Sequence, residues 1–135
     1  MARPRVIVAD DQEEWLADIT ALLAGEFDIV GVARDGATIV DMATRLRPDA
    51  VVTDLKMPRL NGLEAGCRLI AEKVCTAVVV LTVCNDPQLA KVALDMGIQG
   101  YVLKANAVEE LAFAVRRVLK GETFVSPQVA PAEVV

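Results

Sequence analysis

The chain has 135 residues, 54% of them hydrophobic but only 4% aromatic, and a formal net charge of -5 at pH 7. That length suits one domain with an aliphatic core of Val, Leu, Ile and Ala. The charge argues against a non-specific nucleic-acid surface, which needs clustered Lys and Arg, and the lack of any histidine excludes Ser-His-Asp and Cys-His catalysis, His-ligated zinc and a phosphohistidine carrier.

No apolar run approaches the roughly 18 residues of a membrane span, and the opening "MARPRVIVADD" is too short in its apolar part for a signal peptide, so a cytoplasmic protein without a membrane partner is expected. Cys67, Cys75 and Cys84 form an odd set without CxxC spacing and read as packing residues.

In chain order, "RVIVAD" from Arg5, "DIVGVA" from Asp28, "AVVTD" from Ala50, "AVVVLT" from Ala77 and "GYVLK" from Gly100 are short, apolar and β-branched. None alternates as a half-exposed strand would, so each reads as a strand covered on both faces of a parallel sheet. Helical periods lie between and after them: Trp15, Ile19, Leu22 and Leu23; then Ile39, Ala43 and Leu46; then Leu63, Cys67 and Ile70. The fourth stripe is Leu89, Val92 and Met96, and the fifth is Leu111, Val115, Val118 and Leu119. Asn61 and Asp86-Pro87 are set as N-terminal caps, and Asn106 with Glu109 has capping-box spacing. Gly97 and Gly121 stand where glycines end helices. The result is an α/β fold, a doubly wound five-stranded parallel sheet with five helices on both faces. Residues 1–122 are read as the domain and 123–135, "TFVSPQVAPAEVV", as a C-terminal tail or the start of a linker.

In such a sheet the ligand site lies beyond the carboxyl ends of the strands. Asp10 and Asp11 leave the first strand there and Asp54 leaves the third. Like charges about 4 Å apart repel by roughly 1 to 4 kcal/mol, so something cationic should offset them. Two candidates are Lys104, at the end of the fifth strand, and a hard divalent cation such as Mg²⁺, suited to all-oxygen ligation. The plainer reading of Asp10 and Asp11, that they cap the following helix, weakens once Asp54, Thr82 and Lys104 fall on the same edge.

"VADD", "TDLKMPRLNG", "LT" and "GYVLK" together resemble the successive signatures of the receiver domain of bacterial two-component response regulators, from about Arg5 to Gly121. With the resemblance comes the strand order 2-1-3-4-5, that of flavodoxin-like and CheY-like folds. It implies that Asp54 is phosphorylated by a sensor histidine kinase, and that Asp10, Asp11, Asp54 and the backbone carbonyl of Lys56 hold Mg²⁺. Thr82 would then hydrogen-bond a phosphoryl oxygen and Lys104 neutralise another, with Thr82 and Tyr101 as the switch. Such a domain is a phosphoacceptor that assists its own phosphorylation and dephosphorylation, and not an enzyme in the usual sense. Ala105, where many receivers have Pro, together with "ARDGA" and "GETFVSP", resembles the NarL/FixJ-type subgroup. Its members commonly continue through a linker into a DNA-binding helix-turn-helix, so control of transcription through such a domain and a homodimer on phosphorylation are expected; no nucleic acid is expected to bind this chain itself.

Other classes fit less well. A dinucleotide module would need a glycine-rich loop after the first strand, where "ADDQEEW" places acids that repel phosphate. An aspartyl-phosphate phosphatase would carry a second Asp two residues after the nucleophile, where Lys56 stands. A stand-alone regulator acting by protein-protein contact remains an alternative to the transcriptional one.

Overall fold

The structure, a computed structural model, describes residues 2–129. Six strands, β1 (Arg5–Ala9), β2 (Asp28–Ala33), β3 (Ala50–Thr53), β4 (Val78–Thr82), β5 (Gly100–Leu103) and β6 (Phe124–Val125), form one sheet in the order β2-β1-β3-β4-β5-β6. All its pairings are parallel. Among the described residues five α-helices accompany it: α1 (Glu13–Ala24), α2 (Gly36–Leu46), α3 (Gly62–Ala71), α4 (Pro87–Asp95) and α5 (Ala107–Leu119).

Alternation along the buried strands sorts the core into two layers. Val6, Val8, Val52, Val79, Leu81 and Val102 face α1 and α5, where they meet Leu16, Ile19, Leu23, Leu111, Val115 and Val118. On the other face Ile7, Ala9 and Val51 meet Ile39 and Ala43 of α2 and Ala65 and Leu69 of α3. Val78, Val80, Tyr101 and Leu103 also lie on that face, against Ala90 and Ala93 of α4. Among the described residues no helix is long and apolar enough to cross a membrane.

The first five strands follow the expected order, but the sheet has six strands and not five. The extra strand escapes a periodicity argument because it is two residues long and is followed by Pro127. Phe124 N donates to Gln99 O and Ser126 N to Tyr101 O, each at 2.9 Å, which pairs it to the free edge of β5. Ser126 is fully buried and its Oγ accepts from Leu103 N at 3.0 Å. Of the stretch read as a tail, residues 130–135 lie outside the described residues.

Two local expectations also change. Helix α4 buries Ala90 and Ala93, while Val92 and Met96 are 45% and 46% exposed. The small residues let the helix approach the sheet closely, which a search for bulky stripes overlooks. Asn106 makes no side-chain cap, because a 3₁₀ turn at Lys104–Asn106 leads directly into α5 and leaves Asn106 in the bridge region (φ -111°, ψ 11°) and not in the extended geometry of a capping residue. Asn61 and Asp86 do cap, accepting from Glu64 N at 2.8 Å and Gln88 N at 3.0 Å. Gly97 and Gly121 end their helices with φ of 101° and 82°.

Candidate functional site

Each acid is placed by the strand before it. Asp10 N donates to Ala33 O at 3.1 Å and Asp54 N to Ala9 O at 2.9 Å, so the hydrogen-bond ladder continues into both acids and fixes their backbones. Asp54 Oδ1 accepts from Leu55 N at 2.7 Å and Asp10 Oδ1 from Gln12 N at 2.9 Å, which orients the carboxylates. Beyond Asp54 the chain must turn sharply. Gly62 N donates to Leu55 O at 2.8 Å, and Gly62 lies so close to the Asp54 carbonyl that any Cβ would overlap it. Asn61-Gly62 therefore serves close approach: the start of α3 clamps the backbone of Asp54.

Asp10, Asp11 and Asp54 each offer a carboxylate oxygen, and the three atoms lie within 4.8 Å of one another. Asp10 is fully buried, Asp54 retains 13% side-chain exposure and Asp11 is open to solvent. Lys104, only 5% exposed, reaches over them with its Nζ 2.7 Å from Asp10 Oδ2 and 3.4 Å from Asp54 Oδ2. The nearer contact is an ion pair without hydrogen-bond geometry, so Asp10 Oδ2 is a buried oxygen with no hydrogen-bond donor among the described residues. Burial, followed by the charge on Asp10, pushes the Asp54 carboxyl above its ordinary value, while Lys104 and the Leu55 N–H pull it down. One lysine facing three acids leaves net negative charge, with Asp10 Oδ2 paired by charge alone. That donor set fits a small, hard divalent cation.

Thr82, at the end of β4, accepts at its Oγ1 from Cys84 N at 3.1 Å. Tyr101 is fully buried and donates its hydroxyl to Cys84 O at 2.8 Å. The two residues thus hold the N–H and C=O of the same residue. Asp11, Asp54, Lys56, Thr82 and Lys104 wall a cleft of about 270 Å³. Gln12, Trp15, Val83 and Cys84 complete it. Of these only Trp15 has a sequence signal, four residues after Asp11 at the start of a helix, and its ring centroid lies 4.7 Å from Lys104 Nζ.

Residues 6–116 match the family model described as the response regulator receiver domain. The chain belongs to that family. It is 36% identical over 128 residues to the response regulator GacA of Pseudomonas aeruginosa, covering 93% of this chain and 60% of GacA. It is 30% identical over 127 residues to the transcriptional regulatory protein DegU of Brevibacillus brevis, covering 93% of this chain and 54% of DegU. The receiver domain thus spans only part of the length of these curated relatives. Among solved structures, the signal receiver domain of NarL from Mycobacterium tuberculosis superposes with a TM-score of 0.85 at 26% identity, covering 90% of this chain and all of that one. The isolated receiver domain of RcsB from Salmonella enterica serovar Typhimurium, solved with the phosphomimetic beryllofluoride, gives 0.85 at 28% identity, covering 95% and 96%. The chain is a signalling domain related to transcriptional regulators of the NarL type, with an acid cluster able to bind a metal.

Proposed function

We propose that Asp54 accepts a phosphoryl group from a phosphohistidine of a sensor histidine kinase. A carboxylate oxygen of Asp54 bonds to phosphorus as the P–N bond breaks, and the histidine nitrogen keeps the electron pair. The carboxylate needs no general base, which suits a chain without histidine. The observation that carries this reading is the convergence of three carboxylate oxygens within 4.8 Å under the Lys104 ammonium.

Asp10, Asp11, Asp54 and the Lys56 carbonyl would hold Mg²⁺, which when bound offsets the acids and neutralises charge on the phosphoryl group. Lys104 exchanges its contact with Asp54 for one to a phosphoryl oxygen. The Thr82 hydroxyl, which now only accepts a hydrogen bond, donates its proton to another. That movement releases the Cys84 N–H and disturbs the residue whose carbonyl Tyr101 holds, so the local charge becomes a change at the start of α4. The same site would release the phosphoryl group to water. The domain would act in the cytoplasm, forming a homodimer on phosphorylation and controlling transcription through the rest of a longer regulator, or acting alone by protein-protein contact, with no nucleic acid bound by this acidic segment itself. The regulator names of its relatives and the RcsB domain solved in the presence of a phosphomimetic support this reading.

The test is incubation with Mg²⁺ and phosphoramidate, followed by intact mass. One phosphoryl group is expected, absent when a chelator replaces Mg²⁺. Labelling that ignores Mg²⁺ would count against the acid cluster as its site.

A further inference from the structure

We infer that Trp15 is a positioning residue for Lys104, an inference that rests on Asp54 being the phosphoacceptor. The lysine is held by charge more than by directed hydrogen bonds. Its contact with Asp10 is an ion pair at 2.7 Å without hydrogen-bond geometry, and its bond to Asp54 is long at 3.4 Å. A lysine is a compact charge on a flexible four-carbon stem, so its ammonium needs walls if it is to meet an incoming anion in one place. Trp15 supplies one. The indole lies 4.7 Å from Nζ, within the range over which a ring face attracts a cation, and only 5% of the Lys104 side chain remains exposed.

The ring is itself held. Trp15 packs against the core layer shared by α1 and α5, so its position follows the sheet and not the cleft. It also stands between two spaces. Trp15 and Lys104 line both the cleft above Asp54 and a neighbouring one bordered by Asp18, Leu22 and Val108. Without the ring the ammonium keeps its ion pair with Asp10 but can pivot about it toward the second cleft, away from Asp54. The indole touches none of the three acids through a hydrogen bond or ion pair, so its effect should fall on the lysine and leave metal affinity alone.

The test uses the whole chain and phosphoramidate with Mg²⁺, where the Asp54 oxygen bonds to phosphorus and ammonia leaves with the electron pair of the broken P–N bond. Trp15→Phe keeps a ring face, whereas Trp15→Leu keeps only apolar bulk. We expect the maximal labelling rate of Trp15→Leu to fall about fivefold, the equivalent of about 1 kcal/mol. Trp15→Phe should stay within about twofold of wild type, the size expected from a weaker cation-ring contact. The Mg²⁺ concentration giving half the maximal rate should be the same in all three. Trp15→Leu labelled at the wild-type rate would overturn the inference, as would Phe and Leu variants that are equally slow, because the ring would then only fill space. A second readout needs no phosphorylation: Trp15 is the only tryptophan, so its emission should differ between wild type and Lys104→Met, and identical spectra would remove the contact. Failure of the wild type itself to take a label would instead strike the Asp54 reading.

Discussion

The Lys104 ammonium lies 2.7 Å from Asp10 Oδ2, nearer than the 3.4 Å that separates it from Asp54 Oδ2. The lysine therefore serves the fully buried acid first. Lys104→Met would leave Asp10 as a buried charge without a cation, a loss of about 3 kcal/mol in chelator. Added Mg²⁺ should recover part of it, because a ligand that binds only the folded state stabilises that state. Urea denaturation with and without Mg²⁺ measures both effects. A variant as stable as wild type in chelator would show that Lys104 does not offset Asp10.

Asp11 differs because it is open to solvent. Asp11→Ala should weaken Mg²⁺ binding severely while changing stability by no more than about 0.5 kcal/mol, since an exposed like charge is relieved and no packing is lost. Trp15 lines the same cleft and can report the titration by fluorescence, with a thermal melt for stability. Unchanged affinity would remove Asp11 from the ligands.

Much of this site could be read from the sequence, for a physical reason. Strands buried on both faces end abruptly at a polar residue, so Asp10, Asp54 and Lys104 announced themselves as groups on one edge of the sheet. What could not be read depends on distances across the fold. The Trp15–Lys104 contact joins residues 89 positions apart (104 - 15) and has no local pattern. The buried face of α4 departs from its bulky stripe because Ala90 and Ala93, small enough for close approach, do the packing while bulkier Val92 and Met96 face outward. Strand β6 is too short to have a period, and the hydrogen bonds of Ser126 to β5 become visible only once the sheet exists.

Gly62 offers a sharper test of local geometry. A Cβ there would overlap the Asp54 carbonyl and come within 2.8 Å of Thr53 Oγ1. Gly62→Ala should cost about 1 to 3 kcal/mol and slow labelling of Asp54 by shifting its backbone. Gly25 is the control, with nothing within 4 Å of its Cβ position and φ of -69°. Gly25→Ala should be neutral or stabilising by about 0.5 kcal/mol. Equal melts for the two variants would contradict the clamp.

Tyr101 is the only tyrosine, and burial, the largest cause, pushes its phenol above the ordinary value of about 10. The fold therefore favours the neutral form. Its contribution to stability is complete below the unfolded-state value of about 10 and is lost as pH rises toward the folded one. Tyrosinate absorbance should stay absent from the native protein just above about pH 10 and appear together with alkaline unfolding. Tyr101→Phe should lose about 1 kcal/mol near neutral pH, the worth of the bond to Cys84 O, and flatten the alkaline slope. A native-state titration at the ordinary value would show that the hydroxyl is not held inward.

The most direct measurement is to find the residue that carries the label. Borohydride reduces an aspartyl phosphate to homoserine, so peptide mass mapping after labelling with phosphoramidate and Mg²⁺ identifies the acceptor. Homoserine is predicted at position 54, and Asp54→Asn should take no label under the same conditions. Homoserine at position 10 or 11, or an Asp54→Asn chain labelled as fully as wild type, would contradict the assignment of Asp54 as the phosphoacceptor.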